Sequence, residues 1–311
     1  MHLDCLTGSN SDISLALLRI QILVQDDCRK LGIFQFRIAY ASLDNYNYSG
    51  SPMHSTPAVN AIMAEQTDWQ TLLAQPGETT LDVYIDLKSP HAYLAIRPTL
   101  EIARDFNVSI NFQPYTLSYT KLGLTRSVGT DMQRRPESAA ADRKARMYYA
   151  TAREYAALQN LPLRSPHRLL DSDLAHRVFL FTKRQNLEIP FAMWVYLQGW
   201  GSGWRAFELE SPDQLRTACI EVGVDVRAFD TYTQDGGEGS ASLQTSMITA
   251  EENGFVGAPH YVFRDPKNDT VVGLFGREHL ALIRSKYKAA GFAKHADSKA
   301  EFSHAWQPVQ G

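Results

Sequence analysis

Residues Leu81–Leu117 read LDVYIDLKSPHAYLAIRPTLEIARDFNVSINFQPYTL. An apolar run from Leu81 to Leu87 stops at Lys88-Ser89-Pro90, a long apolar-periodic stretch follows, and a second alternating run from Val108 to Tyr115 closes the unit. The pattern is strand, helix, strand. Ser89 stands where an N-cap stands, its hydroxyl able to accept a backbone N–H, and Pro90 takes the first helical position, where its missing N–H leaves no bond unmade. By itself the turn is the capped helix of any α/β protein. It also presents a hydroxyl at the positive end of a helix, where an anionic ligand is favoured.

The rest of the chain extends this unit. Pro98, inside the helix, predicts a kink. Upstream, residues 1–80 stand apart as an N-terminal extension of unknown role. Asn10-Ser11-Asp12 can cap a helix running to about Leu31, Phe34, Phe36 and Ile38 alternate like a strand, and Pro57 to Ala74 reads as a short helix ended by Gln75-Pro76-Gly77. Met53 and Met63 offer alternative starts. Downstream, Lys121 to Pro136 is a polar, basic loop, Glu137 to Asn160 one long helix, and Asp171 to Ala250 almost entirely helical in period: Ser172 to Gln185, Pro190 to Gly199, Ser211 to Val222, Val226 to Thr233 and Ala241 to Asn253. Strand signals return at Pro259 to Arg264 and Thr270 to Phe275, joined by Asp265-Pro266-Lys267-Asn268-Asp269. Arg277 to Gly291 closes as a helix, and Phe292 to Gly311 reads as a frayed or loosely docked tail. A βαβ half and a ββα half sharing one sheet, with helices between them, make an α/β, thioredoxin-like plan. Its parts are 81–120 and 254–291 for the sheet domain, 121–253 for the helical insertion and 292–311 for the tail.

Composition narrows the function. With 311 residues, 44% hydrophobic and 21% charged, the chain has ample material for a core. A net charge of −3 argues against a dedicated nucleic-acid binder, which is usually clearly basic. No apolar run approaches the roughly 18 residues of a membrane helix, and Met1-His2-Leu3-Asp4 lacks the basic and apolar regions of a secretory signal. The three cysteines, Cys5, Cys28 and Cys219, are widely spaced without a CxxC pair, against both a disulfide framework and a zinc knuckle. A reducing, cytoplasmic setting fits them, with an organelle such as the mitochondrion the alternative in a eukaryote.

Four segments then appear in order: DLKSPHAYLA (Asp86–Ala95), EVGVDVRAF (Glu221–Phe229), NGFVGAP (Asn253–Pro259) and GLFGREHLAL (Gly273–Leu282). Together they resemble the DsbA-like thioredoxin superfamily, and within it the branch of 2-hydroxychromene-2-carboxylate isomerases and kappa-class glutathione transferases. The likeness covers about residues 81 to 290. Redox members carry Cys-Pro-x-Cys at the strand–helix turn; this chain has Ser89-Pro90-His91-Ala92, with neither a nucleophilic nor a resolving thiol. The resemblance therefore implies glutathione as cofactor, with Ser89 as the catalytic residue that stabilises its thiolate. A free thiol, of pKa about 8.5, is mostly protonated at neutral pH, and a helix N-terminus with a hydrogen-bond donor lowers that pKa.

The resemblance also places the cofactor. Pro90 adjoins it, and Ala258-Pro259 matches the family's cis-proline loop, whose backbone pairs with a peptide like an added strand. Arg277-Glu278 stands where relatives have a small polar residue and an Asp that hold the γ-glutamyl end. Glu278 can accept from its ammonium, while Arg277, a departure, either clamps the carboxylate or obstructs the site. His91 and His260 are each an acid/base candidate near pH 7 or simply structural. The region of Arg126, Arg134, Arg135 and Ser138 lies near a family glutathione contact, and Trp194, Trp200 and Trp204 are core residues or walls of an aromatic pocket. The expected function is a glutathione-dependent isomerase acting on a small aromatic substrate, with no nucleic-acid or membrane partner, no metal, and a homodimer left open. The alternatives are a kappa-type transferase or peroxidase, a DsbA-family oxidoreductase-like protein, and a non-catalytic module that binds extended peptides.

Overall fold

The computed structural model describes residues 66–118, 135–136 and 138–300. The expected helix from Asn10, the strand around Phe36, the alternative starts at Met53 and Met63, and Arg126 and Arg134 of the basic loop lie outside them.

Four strands form one sheet in the order β2-β1-β3-β4. Strand β1 (Thr79–Ile85) runs parallel to β2 (Val108–Pro114), while β3 (His260–Arg264) is antiparallel to both β1 and β4 (Val271–Phe275). The register explains the alternation in the sequence. Leu81 lies opposite Ile110 and Phe263, and Val83 opposite Phe112 and Tyr261, so one face is continuously apolar.

Helix α1 (Gln66–Ala74) precedes β1, and its Trp69 is buried in the common core. The packed domain thus begins upstream of the expected boundary at residue 81, because an indole of that size buries more apolar area than any neighbouring side chain. Helix α2 (Pro90–Asp105) follows β1 and packs on the apolar face, where Thr99 Oγ1 and the Tyr261 hydroxyl are 3.3 Å apart. The helical block comprises α3 (Ala139–Leu158), α4 (Asp173–Lys183), α5 (Glu188–Ser202), α6 (Pro212–Glu221), α7 (Phe229–Thr233) and α8 (Glu238–Glu252). Helix α6 repeats the Ser-Pro start of α2, with Ser211 Oγ accepting the Gln214 N–H. The expected single closing helix is divided: a 3₁₀ turn, Arg277–His279, leads into α9 (Leu280–Ala289).

Helix α2 continues past Pro98 without interruption. Proline removes the N–H that would bond the Leu94 carbonyl one turn back. Gln159, just past the end of α3, supplies a replacement: its Nε2 donates to Leu94 O at 2.9 Å, while Arg97 Nη1 donates to Gln159 O at 3.0 Å. A buried carbonyl left without a donor costs about 1–3 kcal/mol. Gln159→Leu is therefore expected to destabilise the protein by roughly that amount, measured as a lower urea midpoint at unchanged slope.

Of the two readings of the tail, frayed or docked, its described residues follow the second. Phe292 O accepts the Asn107 N–H at 2.8 Å, Lys294 Nζ donates to Gln75 Oε1 and Ala103 O, each at 2.7 Å, and Ser298 is buried with its hydroxyl on Asp105 O at 3.1 Å. Residues 292–298 are docked because they satisfy backbone groups at the end of α2. Among the described residues, no helix is long and apolar enough to cross a membrane.

Candidate active site

The site begins at the turn from β1 to α2. Ser89 has extended backbone angles, and its Oγ accepts the Ala92 N–H at 3.2 Å, so the expected cap is present. The hydroxyl proton points across to the second half of the sheet, where Ser89 Oγ donates to Ala258 O at 3.3 Å. The Ala258–Pro259 bond is cis. Gly254, at φ +77°, ends α8 in the left-handed conformation and turns the chain toward this loop. Ser89 is only 3% exposed.

Beneath the turn lies a buried polar cluster. Asp86, fully buried, faces the Lys88 ammonium at 3.0 Å, and its oxygens accept from Lys88 N at 2.9 Å, Ser172 Oγ at 2.8 Å and Leu117 N at 2.8 Å. Burial works to raise the Asp86 pKa, but the Lys88 ammonium and its amide overcome this and hold it well below the usual carboxylate range. His176 Nε2 lies 3.4 Å from Asp86 Oδ1 but also accepts the Leu87 N–H at 3.0 Å. The imidazole's own proton then sits on Nδ1, facing Thr116 Oγ1 at 2.7 Å, which leaves Lys88 as the cation that Asp86 pairs with. Ser172, His176 and Tyr196, whose hydroxyl donates to Asp86 O at 3.1 Å, all come from the helical block. The insertion is thus the floor of the turn.

Above the turn opens a cleft of about 340 Å³, within the range of small-molecule sites. His91 and Pro259 border it with Ala258, aromatic walls come from Tyr148, Tyr155 and Phe275, and its far end is Gly276-Arg277-Glu278. A shallower groove of about 260 Å³ between α4 and α8, at Leu243 and Met247, lies away from the turn and the cis-proline, so the chemistry is assigned to the cleft beside Ser89.

Arg277 is 5% exposed; its guanidinium lies 3.7 Å over the Tyr155 ring, and its Nη1 has no hydrogen-bond partner among the described residues. Burial lowers its pKa and the neighbouring tyrosines and Glu278 oppose that, while a guanidinium stays protonated throughout. A buried cationic donor with an unmet bond at the end of a cleft suits a carboxylate. Gly276, at φ +107°, permits the turn; a Cβ there would fall 2.4 Å from the Glu278 carboxylate.

The cleft therefore gathers Ala258, Pro259, Arg277 and Glu278 beside Ser89, while Pro90 is buried at the helix start and is not part of its wall. Neither histidine is placed for acid–base work near pH 7. His91 lines the cleft, but burial, then the Arg277 charge, lower its pKa to about 4 against the pull of Glu278. His260 is buried between Tyr84 and Phe255, its Nε2 at 3.3 Å from Asn253 O, and does not line the cleft. Ser138 is the N-cap of α3, and Arg135 is exposed at the loop end. Trp200 and Trp204 are fully buried against each other and Trp194 packs on Phe207, so all three belong to the core rather than the cleft. The residues the sequence did not single out are Tyr148 and Tyr155, on the cleft-facing side of α3.

A mixed four-stranded sheet whose β1–α2 turn faces a cis-proline defines a thioredoxin-like protein, here with a hydroxyl in place of the reactive thiol. The DSBA-like thioredoxin domain model matches residues 80–288, and the chain belongs to that family. It is 24% identical over 180 residues to the 2-hydroxychromene-2-carboxylate isomerase of Sphingobium xenophagum, covering 58% of this chain and 86% of the relative. Among solved structures it is similar to a 2-hydroxychromene-2-carboxylate isomerase, at TM-score 0.50 and 19% identity over 68% of this chain and 95% of that one. It also matches the cytosolic disulfide reductase DsbM from Pseudomonas aeruginosa, solved with GSH, at TM-score 0.47 and 16% identity over 68% and 97% of the two chains.

Proposed function

We propose that the protein is a glutathione-dependent isomerase of the 2-hydroxychromene-2-carboxylate isomerase type. The observation that carries this reading is Ser89: a hydroxyl at the start of a sixteen-residue helix, beside the cis-proline and a cleft, with no cysteine in the turn. The one cysteine among the described residues, Cys219, is buried in α6 and its thiol is pushed up to about 12 by burial, so it is inert. Glutathione, when bound, supplies the thiolate that adds reversibly to a conjugated carbon of the substrate.

The residues present fit such a cofactor. Arg277 would hold a carboxylate through its unmet donor, Glu278 an ammonium, and the Ala258 backbone edge a peptide unit. Ser89 stabilises negative sulfur at the positive end of α2 without itself becoming a nucleophile. Tyr148, Tyr155 and Phe275 give the cleft an aromatic lining suited to a small aromatic substrate. A neutral His91 adds no charge to that wall.

Millimolar glutathione is expected to raise the melting midpoint of the wild-type protein, because a ligand at a hundred times its Kd stabilises the native state by about 2.7 kcal/mol. Arg277→Gln should weaken glutathione binding about tenfold, since charge-assisted hydrogen bonds contribute about 1.5–3 kcal/mol. An unmoved wild-type midpoint would exclude glutathione, and an unchanged Arg277→Gln affinity would remove Arg277 from the site.

A further inference from the structure

We propose that Phe275, seated on the bare backbone of Gly257, is the residue that selects the group carried by the glutathione sulfur. It favours a substituent whose aromatic ring lies one carbon from that sulfur. The inference rests on the glutathione reading above and deepens it by naming the determinant of substrate choice.

The pair is fixed by backbone. Phe275 is the last residue of β4, opposite His260 on β3, and the next amide, Gly276 N–H, donates to Pro259 O at 3.0 Å. The Phe275 backbone is therefore tied to the cis-proline loop, and only its side chain can turn. A Cβ on Gly257 would fall 2.5 Å from Phe275 Cε2, 2.8 Å from Cζ and 3.1 Å from Cδ2, and these are its three nearest atoms. Carbon atoms in contact normally lie about 3.5–4.0 Å apart, so any side chain at position 257 would displace the ring. Gly257 does not have a left-handed φ. Its backbone would accept alanine, and what the glycine provides is the seat for the ring.

The seated ring is placed to meet a ligand. Phe275 is 46% exposed, a large apolar side chain half open on the cleft that Ala258, Pro259 and Arg277 also line. Its seat is one residue from Ala258, whose carbonyl accepts the Ser89 hydroxyl at 3.3 Å, and consecutive Cα atoms are about 3.8 Å apart. A sulfur held at Ser89 therefore has the Phe275 ring in the neighbourhood that a one-carbon link spans. Aromatic rings attract one another offset or edge-on, and a substrate ring placed there removes apolar area from water. Arg277 and Glu278, beyond Phe275, are left to the charged end of glutathione. The tyrosines of the opposite wall are held by the helical insertion, whereas the place of Phe275 depends on one glycine, so ring and seat can be changed separately.

The test compares the binding of S-methylglutathione and S-benzylglutathione to the full chain by calorimetry. Both carry the same peptide, and only the second carries a ring one carbon from sulfur. Wild type is expected to hold S-benzylglutathione about tenfold more tightly, the effect of one aromatic pair with the area it covers. Phe275→Ala should lose that preference and leave S-methylglutathione within about twofold of wild type. Gly257→Ala lifts the ring from its seat and should likewise lose most of the preference. Gly257→Ala/Phe275→Ala should match Phe275→Ala alone, because the added methyl then meets no ring. Phe275→Ala alters a half-exposed side chain and decides the matter even if Gly257→Ala does not fold. A preference retained in Phe275→Ala overturns the proposal, as do equal losses for both compounds, which would make the ring a wall for the peptide. A Gly257→Ala effect that persists without the ring assigns it to the loop and removes the seat. A wild-type protein that binds neither compound overturns the glutathione reading itself, and that result is distinct from the others.

Discussion

Ser89→Ala is expected to lower turnover of the glutathione-dependent reaction by about 10²–10³-fold, the loss typical of removing one preorganised donor from a developing or resident negative charge. Two effects are combined in this residue and have to be separated. The side chain is also the N-cap of α2, and losing that cap costs about 1 kcal/mol of stability. Glycine is the better probe, because it leaves a cap position with only a few tenths of a kcal/mol lost while removing the hydroxyl as completely as alanine does. Threonine keeps both donor and cap acceptor. The expected order of activity is thus wild type, then threonine, with glycine and alanine together far below, while melting midpoints follow a different order with alanine lowest. If activity instead tracks the melting midpoint across the four proteins, Ser89 is a cap and nothing more. Rates near wild type in both the glycine and alanine variants would exclude it from the chemistry.

The parts of the site that were legible before the fold was known are those written locally. The Ser-Pro start of α2 is a cap and a preset φ in adjacent residues, and the alternation of Leu81, Val83 and Ile85 against Val108, Ile110 and Phe112 is the pleat of two paired strands. Gly276-Arg277-Glu278 also sat in a recognisable place. Its sequence could not say whether Arg277 clamps or blocks, since that depends on Tyr155, which lies 122 residues earlier and takes the guanidinium onto its ring. The floor was illegible for the same reason. Ser172 and His176 lie four apart on one helix, a spacing that puts them on one face, but a serine and a histidine at the start of an amphipathic helix carry no mark of what they face. They meet Asp86 and Leu87 across 86 and 89 residues of chain. Tyr148 was hidden in a stretch, Met147-Tyr148-Tyr149, whose apolar character reads as packing. Whether the tail frays or docks was left open because its anchors, Lys294 and Ser298, are polar residues that act through backbone carbonyls of α2 rather than through apolar area. Polar contacts over long sequence separations leave no periodicity behind, and the site depends on them.

Asp86→Asn follows from that floor and is expected to be the most destabilising single polar change in the turn. Asparagine keeps nearly the same shape, so little packing is lost, but its single oxygen replaces only one carboxylate oxygen: kept toward Ser172 and the Lys88 N–H, it turns its NH2 toward the Leu117 N–H. It also takes the carboxylate charge away from the Lys88 ammonium, whose side chain is 6% exposed. Removing one member of a buried ion pair costs about 3–5 kcal/mol, most of it the penalty of the charge left behind. The double variant Asp86→Asn/Lys88→Met removes that charge and should recover most of the loss, which a simple packing defect would not. The pH dependence follows from the direction of the Asp86 shift. Its folded pKa is depressed, so the pair's contribution is complete above the unfolded carboxylate value of about 3.9 and is lost as pH falls below it toward the folded value. Denaturant midpoints of the wild type should therefore fall on acidification below about pH 4, and those of Asp86→Asn should fall less steeply over the same interval. Parallel acid profiles for the two proteins would show that Asp86 is not ionised in the native state, and with it that the cluster under Ser89 is held by hydrogen bonds alone.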